Sequence, residues 1–427
     1  MKVIIVGAGI AGLAAGIGLR RKGHDVKIFE RSSLLREVGA AINVCPNASL
    51  VLAQWDFDVK RARMVEARRH MLISGTSLDT MSGVQYPDFT GLYGGPWLLA
   101  HRVDLHSELR RVATDPAGLG RPVDIILRAE VVDYDTDKGS ITLANGSSHK
   151  ADLVVAADGV HSSALRHVTG QETPVVSTGW AVFRFLLAVE ELRADPDIAP
   201  LLEDGATKIE DGLMKIFAVE GHMRRLVCNN IQNFVAVHED RETGDHERED
   251  WHRSAEVEDV LSYFGDFHPD VLKIIRKATS ITRWPLLHRD PISTLSKGCL
   301  LLIGDAAHPM LPHQGQGGAQ AIEDAAALGE VFADLPADPP RDEIRRRLEL
   351  FEKIRLKRVS AMQMLSLAGQ DQAFRVREQA QQYMPDGVSV PTNQSEFWDH
   401  NFGYDVIEDS QRQLQTYLKS KPNVASL

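Results

Sequence analysis

The sequence predicts an α/β protein: a parallel sheet built to hold a nucleotide, a second and mainly β domain, and a helical C-terminal part. Three observations predict it. A glycine-rich turn follows the first apolar run, Val3-Ile4-Ile5-Val6. Two later runs, residues 151–157 and 299–303, have the unbroken apolar character of strands buried on both faces. Between them, from about residue 175 to 284, the pattern turns β-rich.

The first unit carries the most chemistry. Gly7-Ala8-Gly9-Ile10-Ala11-Gly12 leads from the strand into a helical stretch over residues 13–22, followed by Gly23, a second apolar run and Glu30. This is the order of a Rossmann-like dinucleotide-binding βαβ unit. Gly7 allows the tight turn. Gly9 has no Cβ, so the backbone can approach a pyrophosphate. Gly12 lets helix and strand pack closely. The helix N-terminus offers unpaired N–H groups and partial positive charge to phosphates. Glu30 can accept hydrogen bonds from a ribose and would repel a 2′-phosphate, so the unit should hold FAD or NAD rather than NADP. Arg31 next to it reads as a solvated surface charge.

The remaining elements follow in order. Val38-Gly39-Ala40-Ala41-Ile42 is a small-residue approach to something flat or phosphate-like, and Pro46-Asn47 opens a helix over residues 48–55. His101-Arg102-Val103-Asp104-Leu105 opens another, with Leu105 and Leu109 on one face. Strands at residues 124–127, 131–134 and 140–143, with Asn145-Gly146 as a turn, suggest a small antiparallel addition. Strands of the second domain fall at residues 180–188, 214–219 and 233–238, and the charged stretch 239–253 reads as an exposed loop. Residues 323–332 and 343–368 are helical. The last forty or so residues are interrupted by Gln and Pro and weakly patterned. The division expected is residues 1–174 and 285–340 for the nucleotide-binding domain, 175–284 for the β-rich domain and 341–427 for the helical part.

Composition narrows the class of protein. The 427 residues, 43% hydrophobic, suffice for two or three cores. Lys plus Arg is 48 against 59 Asp plus Glu, a net charge of −11, which does not point to nucleic acid. The three cysteines, Cys45, Cys228 and Cys299, are too scattered for a metal knuckle and too few for a disulfide framework. No metal site is expected, and a reducing, cytoplasmic compartment suits the thiols. Met1-Lys2 runs straight into the first strand, so no signal peptide is expected, and no run is long enough to span a membrane.

Two further motifs follow buried strands. Asp158-Gly159 makes a turn, and Ser162 or Ser163 can cap the helix that follows; the stretch from Asp158 to Arg166 reads D-G-x-x-S-S-x-x-R. Gly304-Asp305-Ala306-Ala307-His308-Pro309 leads through Pro312-His313-Gln314-Gly315-Gln316-Gly317-Gly318 into a helix over residues 321–328. There a carboxylate can accept from ribityl hydroxyls, and a helix N-terminus can stabilise negative charge on a flavin.

Together the three motifs resemble the single-component FAD-dependent aromatic hydroxylases, the family of p-hydroxybenzoate and salicylate hydroxylases. The resemblance covers residues 1 to about 370. The Pro312-His313-Gln314-Gly315 block is most similar to the salicylate hydroxylase branch and to fungal phenol hydroxylases of aromatic polyketide pathways, and Phe402-Gly403-Tyr404-Asp405 is similar to the fungal members. It implies a p-hydroxybenzoate hydroxylase-like fold. Glu30 would bind the adenosine ribose, Ala41 would lie beside the flavin and Arg102 would contact FAD. Asp305 would hold the ribityl chain, and Gly318 would offer its N–H to the ring. Asp158 and Gly159 would serve FAD and the nicotinamide donor together. Arg184 would face the substrate, where the other reading is a strand arginine paired to an acid. His313 would shuttle a proton, where the other reading is a loop histidine bonded to backbone.

The implied activity is an NADH- or NADPH-consuming monooxygenase that hydroxylates a phenol or aromatic acid through a flavin hydroperoxide. It would need FAD, O₂ and a small aromatic substrate and act as a monomer or homodimer. One departure stands out. Relatives carry a Tyr-Pro pair on the strand before Asn233, whereas Arg224-Arg225-Leu226-Val227-Cys228-Asn229-Asn230 stands here. Two other readings therefore stay open: oxidase or reductase chemistry on the same fold, and a flavin-binding protein with a degenerate substrate site.

Overall fold

A computed structural model of the chain describes residues 1–33, 41–171, 173–203, 205–219, 224–228, 233–241, 253–368 and 370–421. The expected small-residue approach at Val38-Gly39-Ala40 and most of the expected loop after Glu239 lie outside them.

Among the described residues a six-stranded sheet forms the nucleotide-binding core. Its order is Ser296–Lys297, Leu300–Leu302, Leu153–Ala156, Lys2–Val6, Asp25–Glu30, Asp124–Leu127. All pairs are parallel except the first. Lys2–Val6 is central, which explains its unbroken apolar character: Val3, Ile4, Ile5 and Val6 are all buried. Helices Ile10–Arg21 and Gly317–Val331 pack together on this sheet. They touch backbone to backbone at Gly18 and Gly329, which fixes the second glycine-rich loop beside the first.

One expectation needs correcting. Asp124–Leu127 does not belong to the antiparallel addition but joins the parallel sheet beside Asp25–Glu30. It follows the helix Arg102–Thr114, and a strand reached through a helical crossover lies parallel. The addition itself is Val131–Asp135, Ser140–Leu143 and Ser148–Lys150.

A second, eight-stranded sheet has the order Arg253–Ala255, Thr279–His288, Val176–Leu186, Asn233–Glu239, Arg225–Cys228, Leu213–Ala218, Arg69–Ser74, Thr80–Gln85. Its last two strands come from a stretch to which sequence analysis assigns no element. Alternation along Val176–Leu186 splits its side chains. Phe183 and Phe185 enter a core with Phe217, Leu226 and Phe264. Val182 faces the other way, onto Leu286 and Leu311.

The tail is more ordered than its pattern suggests. Helices Gln394–Phe402 and Val406–Ser420 are capped by Asn393 and Asp405, whose side chains accept from backbone N–H groups. Phe402 then packs on Phe89, Tyr93 and Trp97. No helix among the described residues is long and apolar enough to cross a membrane.

Candidate active site

The parallel sheet gathers most of the predicted residues at the carboxyl ends of its strands. Gly7 follows Lys2–Val6, Glu30 ends the next strand, Asp158 follows Leu153–Ala156 and Asp305 follows Leu300–Leu302. Glu30 and Asp305 are thus three strand spacings apart, about 14 Å, the reach of an extended dinucleotide.

The three glycines differ in what surrounds them. A Cβ on Gly12 would stand 1.9 Å from the Gly7 carbonyl oxygen, so helix and turn close only on glycine. Gly7 itself has φ +98°, in the left-handed region. At Gly9 a Cβ would meet no protein atom within 4 Å, so this side of the turn is open. The Ala8 peptide between them is held from both sides. Its N–H donates to Glu30 Oε2 at 2.8 Å, and its carbonyl oxygen lies 2.8 Å from His106 Nε2. The other Glu30 oxygen accepts from Ser32 N–H at 2.8 Å.

Asp158 is turned inward. Its Oδ2 accepts from the Tyr134 hydroxyl at 3.3 Å, while Oδ1 is buried with no protein partner. Burial raises its pKa against hydrogen bonds from Ser162 and Tyr134 and the charge of Arg31. Gly159 follows with φ +86° and open space where a Cβ would be. The Ser162 hydroxyl accepts from Ala164 N–H at 3.2 Å where the next helix begins, while the N-cap residue Ser163 makes no side-chain cap bond.

Asp305 is accessible to solvent yet surrounded by enough protein to feel burial. A side chain facing a cleft rather than open solvent has both properties. Burial raises its pKa, and the nearby charges of His308, Arg102 and Arg289 oppose that rise. The loop that presents it is anchored from behind. Asp324 accepts from Gly304 N–H at 2.9 Å and from His308 Nε2 at 2.6 Å. Arg355, fully buried, binds Asp324 at 2.9 Å and also Glu323. Against the burial that raises it, these cations pull Asp324 down to about 2.

Gly318 lies in the first turn of Gly317–Val331, where backbone N–H groups have no helical partner; a Cβ there would stand 2.8 Å from Ile42. Ala41, one residue before Ile42, pairs with His101 across neighbouring strands, and Arg102 starts the next helix. His313 sits half-buried on the short turn Pro312–Gln314, just after Leu311.

Arg184 reaches this cleft from the second sheet. Its guanidinium carbon lies 5.2 Å from the Trp284 ring centroid, and Trp284 Nε1 donates to Thr282 Oγ1 at 2.9 Å. Nε of Arg184 is buried without a hydrogen-bond partner, and no acid among the described residues pairs with the side chain. Burial, then repulsion from Arg102, lowers its pKa to about 10, so it remains charged at neutral pH. The structure therefore sets two arginines, Arg102 at a helix start and Arg184 on the second sheet, against one cleft.

Several residues escaped the sequence. Tyr134, on the antiparallel addition, orients Asp158. His106, one helical turn after Arg102, holds the glycine-rich turn; its i+4 spacing was the available signal. Arg289 donates to the carbonyls of Thr173 at 3.0 Å and Val160 at 2.7 Å, bringing its charge near Asp305. No local pattern marks it. In the departing stretch, Arg224 is structural: it binds both oxygens of Asp266.

Buried carboxylate oxygens, an open glycine turn and two helix N-termini on one sheet edge suit FAD. With the second sheet beyond them, they define a flavoprotein of the p-hydroxybenzoate hydroxylase fold. The family described as FAD binding domain matches residues 122–364, and Pyridine nucleotide-disulphide oxidoreductase matches residues 1–179. The chain is 39% identical to FAD-dependent monooxygenase cfoG of Aspergillus candidus, over 98% of this chain and 96% of that one. It is 32% identical to hispidin-3-hydroxylase of Neonothopanus nambi, over 98% and 97%. The crystal structure of CtdE in complex with FAD and substrate superposes with a TM-score of 0.78 at 22% identity, covering 99% and 100%. This chain belongs to the FAD-dependent monooxygenases. Its cofactor is FAD, and NAD(P)H as donor is typical of the family.

Proposed function

We propose that this monooxygenase consumes NAD(P)H to hydroxylate a phenolic or aromatic-acid substrate bound as its anion, in the cytoplasm. The observation that carries the reading is Arg184: an enclosed cation, beside a second cation, with no acidic partner among the described residues. Burying an unpaired charge is costly, so such a site favours an anionic ligand. A phenolate is also a far stronger carbon nucleophile than a phenol, and a fixed cation lowers the phenol's pKa.

FAD, when bound, supplies reduction by the nicotinamide donor and the activation of O₂. This chain's residues do the rest. Glu30 and the turn at Gly9 would hold the adenosine and pyrophosphate end; Asp158, Asp305 and the N–H of Gly318 would hold the flavin end. Arg184 would hold the substrate oxygen as an anion, with Trp284 and Thr282 fixing its guanidinium. His313 would carry the phenolic proton away. The related hispidin-3-hydroxylase agrees with a hydroxylation of this type.

The test is a panel of phenols and salicylates given to the holoenzyme under labelled O₂, with NADH and NADPH in turn. One labelled atom should enter the product. Arg184→Met should lower kcat/KM by about 30-fold or more, because truncating one partner of a buried charge pair costs about 2–5 kcal/mol. FAD affinity should hold. Unlabelled product, or an Arg184→Met enzyme with normal coupled turnover, overturns the reading; loss of FAD instead assigns Arg184 to the cofactor.

A further inference from the structure

The face of the second sheet that carries Arg184 has an unusual row of side chains. Leu72 pairs with Ile216, Ile216 with Val227, Val227 with Val235 and Val235 with Arg184. The five therefore lie side by side across five adjacent strands, on one face. All five are half-buried.

The next residue along each strand shows that this exposure is not an edge effect. Ile73, Phe217, Leu226, Ala236 and Phe183 are aligned in the same way on the opposite face, and none is more than 4% exposed. Leu72, Ile216 and Val227 join none of the hydrophobic clusters formed by the described residues. Both flanks of the row, by contrast, are packed. On one flank Val182 and Val237 meet Leu311. On the other, Met214 meets the core of the nucleotide-binding domain and His70 meets Tyr86. An aliphatic strip between two packed flanks, on internal strands, is the floor of a trough.

We infer that the trough takes the apolar body of an extended substrate whose acidic oxygen sits on Arg184. This rests on the hydroxylase reading for the placement of the reacting ring. The strip from Arg184 to Leu72 crosses four strand spacings, about 19 Å. A single ring seated on Arg184 leaves most of that length uncovered, and a continuous half-buried apolar strip between packed flanks is the build of a binding groove. Charge complementarity fixes the direction: the anionic oxygen at the cation, the hydrocarbon over Val235, Val227, Ile216 and Leu72. The substrate class is a phenol or enol bearing a long aryl or alkyl extension. Val227 lies in the stretch that replaces the Tyr-Pro pair of relatives, so a small aliphatic residue stands in the floor there.

A homologous series of alkylphenols, from phenol to octylphenol, tests this on the holoenzyme. Binding is read from perturbation of the flavin absorbance, and turnover from product. Affinity should rise about fourfold for each of the first several methylenes, the value of a buried CH₂. Val227→Trp, which fills the floor, and Ile216→Asn, which makes it polar, should each flatten the series while flavin absorbance and melting confirm a folded holoenzyme. A flat series in the unmodified enzyme overturns the trough, as does a slope that survives both substitutions. If affinity climbs with chain length but no compound gains oxygen, the trough stands and the hydroxylase reading fails. If short phenols are hydroxylated with a flat series, only the trough fails.

Discussion

Gly9 and Gly12 make opposite predictions from one added methyl group. Gly12→Ala places carbon 1.9 Å from the Gly7 carbonyl oxygen, a backbone atom that cannot swing aside. Helix and turn must part by about 1.5 Å to reach ordinary contact. Overpacking of this kind costs about 1–3 kcal/mol, and the better helix propensity of alanine returns at most about 1 kcal/mol. The Ala8 peptide moves with the turn, so its bonds to Glu30 and His106 loosen as well. Gly12→Ala should therefore lower both the stability of the flavin-free protein and its affinity for FAD. Gly9→Ala adds the same methyl where no protein atom lies within 4 Å. The protein alone should lose no more than about 1 kcal/mol, through a poorer helix cap. FAD, however, must then share its space with the methyl, and about 1–3 kcal/mol of overpacking is a 5- to 150-fold loss of affinity. Urea unfolding of the deflavinated protein and titration with FAD separate the two quantities. If Gly9→Ala keeps wild-type affinity, the pyrophosphate does not lie against the open side of this turn.

Three further outcomes follow. Tyr134→Phe removes the long hydrogen bond that orients Asp158 and should weaken FAD binding by about 2- to 12-fold without unfolding the protein, as FAD titration and a thermal melt will show. Asp324→Asn leaves Arg355 and His308 short of a buried anion and should cost about 3 kcal/mol in urea unfolding, with loss of FAD in step. Burial drives His24, His238 and His400 down to about 4, so they stay neutral in the folded protein near neutral pH. The unfolded chain takes up those protons first, below about 6.5. The stability these histidines contribute is complete above that pH and is lost as pH falls toward 4. Each should contribute about 2 kcal/mol of destabilisation between pH 7 and 5, and His238→Phe should make the urea midpoint less sensitive to pH over that range.

What the sequence disclosed was local. The turn from Gly7 to Gly12 with Glu30, Asp158-Gly159 and Gly304-Asp305 each carry their meaning within about two dozen residues, and the parallel sheet follows from the apolar runs that precede them. Arg184 was singled out by the family resemblance, and strand alternation in the structure sets it beside Val182 and away from Phe183. The tail is helical as expected, but Gln and Pro blur where its helices lie, although the caps Asn393 and Asp405 were readable signals. Asp124–Leu127 was misplaced because a short strand looks alike in parallel and antiparallel company. Arg289 and Tyr134 were invisible because their meaning depends on tertiary neighbours: Arg289 spans to Val160, and Tyr134 reaches Asp158 from another sheet. The row from Leu72 to Arg184 depends on register across five strands, which no single stretch of sequence contains.

The central position of Lys2–Val6 sets an order of assembly during synthesis. This strand is made well before its later partners: its neighbour Leu153–Ala156 emerges some 150 residues after it, and Leu300–Leu302 about 150 after that. The helix Gly317–Val331, which brings the second glycine-rich loop to the first helix, is locked only when Arg355 arrives to bind Glu323 and Asp324. Pairings this distant in sequence form slowly. The growing chain thus carries an apolar strand with one neighbour until about residue 156 has emerged, a state prone to association. A nascent chain stopped before residue 300 has Gly7–Gly12, Glu30 and Asp158 and lacks Asp305 and Gly318, which on the proposed assignment complete the flavin end. Cofactor capture is therefore among the last events in the making of this protein, and chaperone protection matters most before it.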